Sequence, residues 1–310
     1  MKKSVRIFAP ATIANLSCGF DVLGCCLDTV GDEMVITLKD TPDVTISKIE
    51  GADLPKSPEK NVAGVAVNAL LKHLGKNVGV DIEIYKKIKA GSGIGSSAAS
   101  SSGAVWAVNY LLGNPLKNIE LIPFAMEGER LASGNAHADN VAPALLGGFT
   151  LVRSYDPLDV IALHSPNLIF ATVIHPQIEI KTADSRSVIK QNVSLEKAIT
   201  QWGNLGGLIA GLYSENYDLI GRSLKDVIIE PLRSILIPAF DSVKENALKA
   251  GALGCGISGS GPSIFALSKG YDTAERVAIA MKEVYQNTQI DFDIHISPIN
   301  PKGIRILNHE

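Results

Sequence analysis

The fold turns on the stretch Ala90-Gly91-Ser92-Gly93-Ile94-Gly95-Ser96-Ser97-Ala98-Ala99-Ser100. Upstream, Val80, Ile82 and Ile84 alternate with Asp81, Glu83 and Tyr85, the period-two pattern of a strand with one wet face. Downstream, Ser96 to Leu112 reads as a helix stopped by Gly113-Asn114-Pro115. A strand, a glycine-rich loop and a helix in that order bring free backbone N–H groups and the positive end of a helix dipole to one spot. Glycines there let the backbone visit positive φ and approach an anion closely. The dipole contributes only about 0.3–1 kcal/mol per charge, so direct N–H bonds and a metal must supply most of the affinity for a phosphate. Ser96 and Ser97 put hydroxyls where a phosphate oxygen or Mg²⁺ would sit. The plainer alternative is a Gly-Ser turn that caps a buried helix. The chain contains no Gly-Lys-Ser/Thr, which excludes a P-loop.

A second such stretch, Gly254-Cys255-Gly256-Ile257-Ser258-Gly259-Ser260-Gly261-Pro262, satisfies G-x-G-x-x-G by count. A dinucleotide site needs a strand before that motif and a helix after it. Here a helix pattern precedes, and Pro262 with a strand-like Ser263 to Leu267 follows. Read beside the first loop, it is a candidate second wall of a phosphate site. Neither stretch completes the G-x-S-x-G of a hydrolase elbow, since the candidates end in Ser260 and Ala99.

Further out, Met34, Ile36 and Leu38, and then Phe292, Ile294 and Ile296, mark alternating strands. Helices are expected over Asn61 to Leu74, Ile119 to Ser133, Leu195 to Tyr213 and Ala239 to Ala250. Another runs through Ala274, Val277, Ala278, Met281, Val284 and Tyr285, with Asp272 and Glu275 spaced as a capping box. One wet and one dry face per strand is the antiparallel pattern. With no regular βαβ rhythm, the fold class is α+β. Asp156-Pro157 and Ser165-Pro166 punctuate a domain break, giving an N-terminal nucleotide-binding domain over 1–160 and a C-terminal domain over 161–310.

The 310 residues carry a net charge of −3, which argues against nucleic acid as a main partner. With 46% hydrophobic and 20% charged residues, the chain is globular rather than disordered. Cys18, Cys25, Cys26 and Cys255 form no metal-binding spacing and are expected to be reduced thiols in a cytoplasmic protein. The charge-free run from Ala90 to Leu116 is too rich in serine for a membrane span, and Pro10, Thr12, Asn15, Ser17 and Asp21 interrupt any signal-peptide core.

Three motifs resemble the small-molecule kinases that group galactokinase, homoserine kinase, mevalonate kinase and phosphomevalonate kinase. They are Pro10-Ala11-Thr12-Ile13-Ala14-Asn15-Leu16 with Gly19-Phe20-Asp21, Gly91 to Ala99, and Gly256 to Ser263. Within that group the chain is most similar to the homoserine kinases. That likeness rests on Asn15-Leu16 with Gly19-Phe20-Asp21, His137-Ala138-Asp139-Asn140-Val141-Ala142-Pro143, Thr182 through Arg186, and Ile229-Glu230-Pro231-Leu232-Arg233. The resemblance implies a first domain like ribosomal protein S5 domain 2, a ferredoxin-like second domain, ATP and Mg²⁺, and a homodimer. It further implies phosphorylation of the L-homoserine hydroxyl on the route to threonine. The loop Gly91, Ser92, Gly93, Ile94, Gly95, Ser96, Ser97, Ala98, Ala99 and Ser100 would bind the nucleotide phosphates. Ser97 and Glu129 would hold Mg²⁺. Asp21 would pair with the substrate ammonium, and Arg186 and Arg233 with its carboxylate. Asn15, His137, Asp139 and Thr182 would line the substrate, with Asn140 near the reacting hydroxyl. Lys86, Lys87 and Lys89 are expected on a solvated edge. Two other readings compete: a kinase of the same group acting on shikimate, mevalonate or a sugar, and a catalytically silent sensor.

Overall fold

The alternating stretches become two sheets, and the charge-free run becomes a helix buried against the first of them. The computed structural model describes residues 3–180, 182–190 and 192–308. The chain opens with β1 (Ser4–Ala14), the long β2 (Leu23–Lys39) and β3 (Val44–Glu50). There follow α1 (Val62–Leu74), β4 (Gly79–Tyr85), α2 (Ser96–Leu111), α3 (Asn118–Ser133) and α4 (Val141–Leu146). Next come β5 (Phe149–Tyr155), β6 (Leu158–Leu163) and β7 (Ile169–Pro176). Helices α5 (Thr182–Ser187), α6 (Leu195–Ser214), α7 (Tyr217–Ser223), α8 (Glu230–Arg233) and α9 (Phe240–Lys249) lead into β8 (Gly254–Ile257) and β9 (Ile264–Lys269). Helix α10 (Tyr271–Gln286), β10 (Phe292–Pro298) and β11 (Arg305–Asn308) close the chain.

The first sheet runs β11-β1-β2-β4-β3, with β5 pairing the start of β2 and β6 pairing β5. All its pairs are antiparallel except β3 with β4, where the wet-and-dry alternation does not reveal a parallel neighbour. Helix α2 lies on β1 and β2 and is flanked by α1 and α3. That sandwich explains why α2 has no polar stripe. Its residues are small because the neighbours come close: a Cβ on Gly103 would sit 2.7 Å from Met34 Sδ. The second sheet, β10-β7-β9-β8, is antiparallel throughout and is covered by α9 and α10. Its β-α-β-β-α-β order is ferredoxin-like, as expected. Together the layers are α+β.

Three details differ from the expectations. A division at 160/161 would cut β6 in half, and β11 returns to pair β1 in the first sheet, so the C-terminus belongs to the first layer. No side chain caps α10, which starts after Gly270; Asp272 lies inside the first turn instead. Gly254 to Ile257 is a strand rather than loop, because Cys255 and Ile257 are needed in the second core. All four cysteines are free and buried, and burial pushes the Cys18 and Cys255 thiols up to about 12. Among the described residues no helix is long and apolar enough to cross a membrane.

Candidate active site

The glycine-serine loop and the start of α2 form one wall of a cleft of about 520 Å³. Gly93 has φ +82° and Gly95 has φ +71°. A Cβ on Gly95 would lie 2.1 Å from Thr12 Oγ1, so only glycine lets the loop close on β1. Gly95 also precedes α2 without capping it by a side chain. The N–H groups of the first helical turn therefore have no intrahelical acceptor and are available to an anion. The second glycine-rich loop does pack against the first: the Ser258 hydroxyl donates to Gly93 O at 2.8 Å, and Gly259 and Ser260 line the same cleft.

The two serines at the helix start have different fates. The Ser96 hydroxyl donates to Ile88 O at 3.1 Å and is taken up in holding the loop. The Ser97 hydroxyl instead hydrogen-bonds the Glu129 carboxyl. Glu129 lies on α3, is buried, and keeps Oε1 with no partner. Burial pushes its carboxyl up to about 7, against the pull of the Ser97 hydrogen bond and of Lys86. A buried carboxylate oxygen without a donor, next to the Ser97 hydroxyl and facing the glycine-serine loop, fits a hard divalent cation that keeps some of its own waters.

Lys86 is not on a solvated edge. It pairs with Asp32, with side chains 1% and 0% exposed, and donates to Ser96 O at 2.9 Å and Ser100 Oγ at 3.2 Å. Asp32 Oδ1 also accepts from Lys87 N at 2.8 Å and Ile88 N at 2.9 Å. The pair thus bolts the loop's entry to the first turn of α2. Lys87 and Lys89 are exposed, as expected, and bind Glu33 and Gln177. Removing one buried partner strands the other charge, at a cost of about 3–5 kcal/mol. Lys86→Met should lose about that much in urea unfolding, and Asp32→Leu with Lys86→Met should recover most of it. A single variant as stable as the double would show that the charges are not coupled.

The opposite end of the cleft carries the charged groups. Arg186, on α5, donates from Nη2 to Asp21 at 3.0 and 3.2 Å and lies 2.9 Å from His137 Nε2. Asp21 and Arg186, expected to grip opposite ends of a substrate, therefore pair with each other here. Arg233, at the end of α8, is buried and donates to Ser185 O at 3.0 Å and Gly259 O at 3.1 Å. Burial and the nearby Arg186 lower it to about 10, so it stays charged at neutral pH. The Phe20 ring lies 5.8 Å from the Arg186 guanidinium and 5.0 Å from that of Arg233. Burial, reinforced by Arg186 against the pull of Asp21, holds the His137 imidazole below its ordinary value. Asn15 donates to Gly259 O at 2.8 Å and accepts from Asp21 N at 3.0 Å, fixing the Asp21 turn.

Between the two ends stand Asp139 and Asn140. Thr12 Oγ1 donates to Asn140 Oδ1 at 2.8 Å, which leaves the amide N–H₂ to serve the cleft. Asp139 is buried, and burial, helped by Asp21 and Glu129, pushes its carboxyl up to about 7. A folded-state value above the unfolded one means that stability is present at low pH and lost as pH rises through about 7. Asp139→Asn should therefore be more stable than the parent. The gain should grow by about 2 kcal/mol between pH 5 and pH 7, because the slope of about 1.4 kcal/mol per unit falls off as the group reaches its midpoint. Urea titrations at the two pH values measure this, and a pH-independent gap would contradict it.

Of the expected site residues, Asn15, Asp21, Gly91, Gly93, Gly95, Ser96, Ser97, Ser100, Glu129, His137, Asp139, Asn140, Arg186 and Arg233 line this cleft. Ser92, Ile94, Ala98 and Ala99 are buried beneath it as the loop's and helix's packing side; their backbones, not their side chains, shape the wall. Thr182 begins α5, but its side chain lies outside the described residues. Thr12 and Phe20 were missed as site residues although both lie within the first motif. Lys86 with Asp32, and Asp226, carried no local signal. Asp226 Oδ1 accepts from Ile228 N and Ile229 N, each at 2.9 Å, and Oδ2 from Glu230 N at 2.9 Å, shaping the turn that presents Arg233. Tyr155 was also missed: its hydroxyl donates to Asp21 O at 2.9 Å.

A glycine-bordered helix start with free N–H groups, a buried carboxyl beside a serine and a polar cleft are what a small-molecule kinase needs, and the relatives agree. Residues 61–148 match the model described as GHMP kinases N terminal domain, and residues 208–287 match GHMP kinases C terminal. The chain belongs to the GHMP kinase family and is an ATP-dependent kinase acting on an alcohol. It is 47% identical to the homoserine kinase of Chlorobium phaeobacteroides (strain BS1), over 98% of this chain and 100% of the relative. It is 38% identical to that of Xylella fastidiosa (strain M12), over 97% and 94%. The crystal structure of homoserine kinase from Cytophaga hutchinsonii superposes with a TM-score of 0.96 at 52% identity, covering 99% and 98% of the two chains. Mevalonate kinase from L. major, in complex with R-mevalonate, shares the fold alone: TM-score 0.67 at 15% identity, covering 96% and 95%.

Proposed function

We infer that the protein transfers the γ-phosphoryl group of ATP to the side-chain hydroxyl of L-homoserine, giving ADP and O-phospho-L-homoserine on the route to threonine. We assign it to the cytoplasm as a homodimer. One observation carries the substrate choice. Two guanidiniums, the Asp21 carboxylate and the Asn140 amide converge in the cleft that the phosphate loop closes. A zwitterion with a hydroxyl needs an anion, a cation pair and a polar group, and a neutral sugar does not call for two cations. An arginine fork suits a carboxylate because it binds both oxygens. The incoming amino acid exchanges the Asp21–Arg186 pair for its own ammonium and carboxylate, so neither charge is left stranded.

Phosphoryl transfer asks the protein mainly for positioning and charge neutralisation. The loop amides and the α2 start bind the phosphates. Ser97 and Glu129 would hold Mg²⁺, which neutralises charge on the phosphate oxygens. Apolar Leu54, Val62 and Leu131 in the same cleft suit the flat face of a base. Asn140 cannot accept a proton usefully; its amide donates toward the hydroxyl oxygen and orients it. The alcohol attacks directly: its oxygen bonds to phosphorus, the bond to the ADP oxygen breaks, and the hydroxyl proton leaves on a phosphoryl oxygen.

ADP release measured with homoserine, mevalonate, shikimate and galactose tests the substrate, and turnover with any of the last three instead of homoserine would refute it. For the missing base, Asn140→Ala should slow turnover by about 10²-fold, the scale of one lost transition-state donor. If Asn140→Ala turned over normally while Asp139→Asn folded, bound homoserine and did nothing, Asp139 would be the base.

A further inference from the structure

Asp21 holds a conformation that its own chain does not favour. It sits at φ +59°, in the left-handed region, and Asn15, Leu16 and Ser17 before it stand at +74°, +43° and +59°. Residues other than glycine persist there only where their surroundings fix them. The turn they build joins β1 to β2, and Asn15 N donates to Leu23 O at 2.7 Å across its neck. Within that turn the Asp21 peptide is held from both sides. Its N–H donates to Asn15 Oδ1 at 3.0 Å, and its carbonyl accepts the Tyr155 hydroxyl at 2.9 Å.

Tyr155 ends β5, a strand already tied to this turn: Val152 N donates to Val22 O at 2.8 Å. The consecutive carbonyls of Asp21 and Val22 are therefore both fixed from one strand. The Tyr155 hydroxyl also accepts from Ala138 N at 3.3 Å, and its ring meets the His137 ring edge to face, with centroids 6.3 Å apart. A single phenol bridges the Asp21 turn and the segment that carries His137, Asp139 and Asn140. Burial, reinforced by the Asp139 carboxyl against the pull of the Ala138 hydrogen bond, pushes the phenol above its ordinary range. It stays protonated at any working pH, and its one donor proton remains with Asp21 O.

Tyr155 does not line the cleft, so its influence on the reaction passes through what it holds. The direction of the Asp21 carboxylate, which accepts from Arg186 at 3.0 and 3.2 Å, is set by the backbone beneath it. Releasing the Asp21 carbonyl would let the peptide relax toward negative φ. That swings the Cα–Cβ bond and carries the carboxylate off line. A binding group needs its orientation fixed by such outer contacts, because a small misplacement weakens every bond it makes. The phosphate end of the cleft is held separately, by Lys86 and Ser258. Losing the Tyr155 hydroxyl should disturb one end of the cleft and spare the other.

We propose that Tyr155 is a positioning residue for the acceptor substrate: its hydroxyl locks the strained Asp21 peptide to the His137–Asn140 segment and so aims the Asp21 carboxylate. This rests on the reading of Asp21 as the partner of the substrate ammonium. Tyr155→Phe removes the hydroxyl and keeps the ring against His137, so the variant folds, checked by an unchanged circular dichroism spectrum. The KM for homoserine should rise about fivefold, the worth of one hydrogen bond. The kcat and the KM for ATP should hold. In an Asp21→Ala background the same substitution should cost nothing further in kcat/KM for homoserine, since no carboxylate is left to aim. A merely structural role would cost the same in both backgrounds. Parental kinetics in Tyr155→Phe, an equal rise in both KM values, or a loss that persists in Asp21→Ala would each overturn the proposal. A wild type idle on homoserine refutes the substrate reading instead, and the same cycle is then judged with the alcohol that the wild type accepts.

Discussion

Glu129→Gln is expected to lower turnover about a thousandfold with folding intact. The substitution keeps the shape of the side chain and removes the charge that faces the phosphate loop. A Lewis-acidic cation supplies several kcal/mol of transition-state charge stabilisation, and about 4 kcal/mol is a thousandfold in rate. Raising Mg²⁺ should restore part of the loss if the remaining donors, Ser97 among them, still hold the ion weakly. The pH dependence gives a second signature. Burial pushes the Glu129 carboxyl up to about 7, so a proton and Mg²⁺ compete for it. In the parent protein the apparent Mg²⁺ affinity should weaken about tenfold for each pH unit below 7. In the glutamine variant the profile should be flat over that range. Steady-state rates against Mg²⁺ at several pH values measure both. A variant with parental turnover at limiting Mg²⁺ would remove Glu129 from the cation site.

Arg233→Ala is expected to cut kcat/KM for homoserine by a factor between about 30 and several thousand, the equivalent of about 2–5 kcal/mol for a lost desolvated partner. The KM for ATP should change little. The guanidinium already serves Ser185 O and Gly259 O, and it lies against Phe20. Lysine is a compact point charge and cannot span those two acceptors, so Arg233→Lys should not rescue. Initial rates with each substrate varied in turn separate the two ends of the cleft. Equal damage to homoserine and ATP parameters would show that Arg233 supports the fold of the cleft instead of gripping a carboxylate.

The two halves of the site differ in how readily sequence discloses them. The phosphate loop is contiguous: glycines at positive φ, small residues after them and a helix stop are all local requirements, visible in Gly91 to Pro115. Asn15, Asp21, His137, Asn140, Arg186 and Arg233 came from motif resemblance, and their spacing along the chain says nothing of their meeting. Lys86 shows the limit. Among three lysines near a loop it looks solvated. Only the pairing of β2 with β4, which sets Glu33 opposite Tyr85, brings Asp32 to its side and buries both. Ser96 and Ser97 are likewise equivalent in sequence, and the position of Ile88 O decides which hydroxyl holds the loop and which faces Glu129.

Alternation, helical spacing and the glycine loop were enough to determine the α+β class, most elements and the glycine-bordered start of α2, because each depends on contacts within a few residues. The Asp21–Arg186 pair, the Lys86–Asp32 bolt and the return of β11 to the first sheet were decided by tertiary structure alone. Each of these depends on which distant surfaces exclude water together, and charge pairing and burial take their energies from that enclosure rather than from neighbours along the chain.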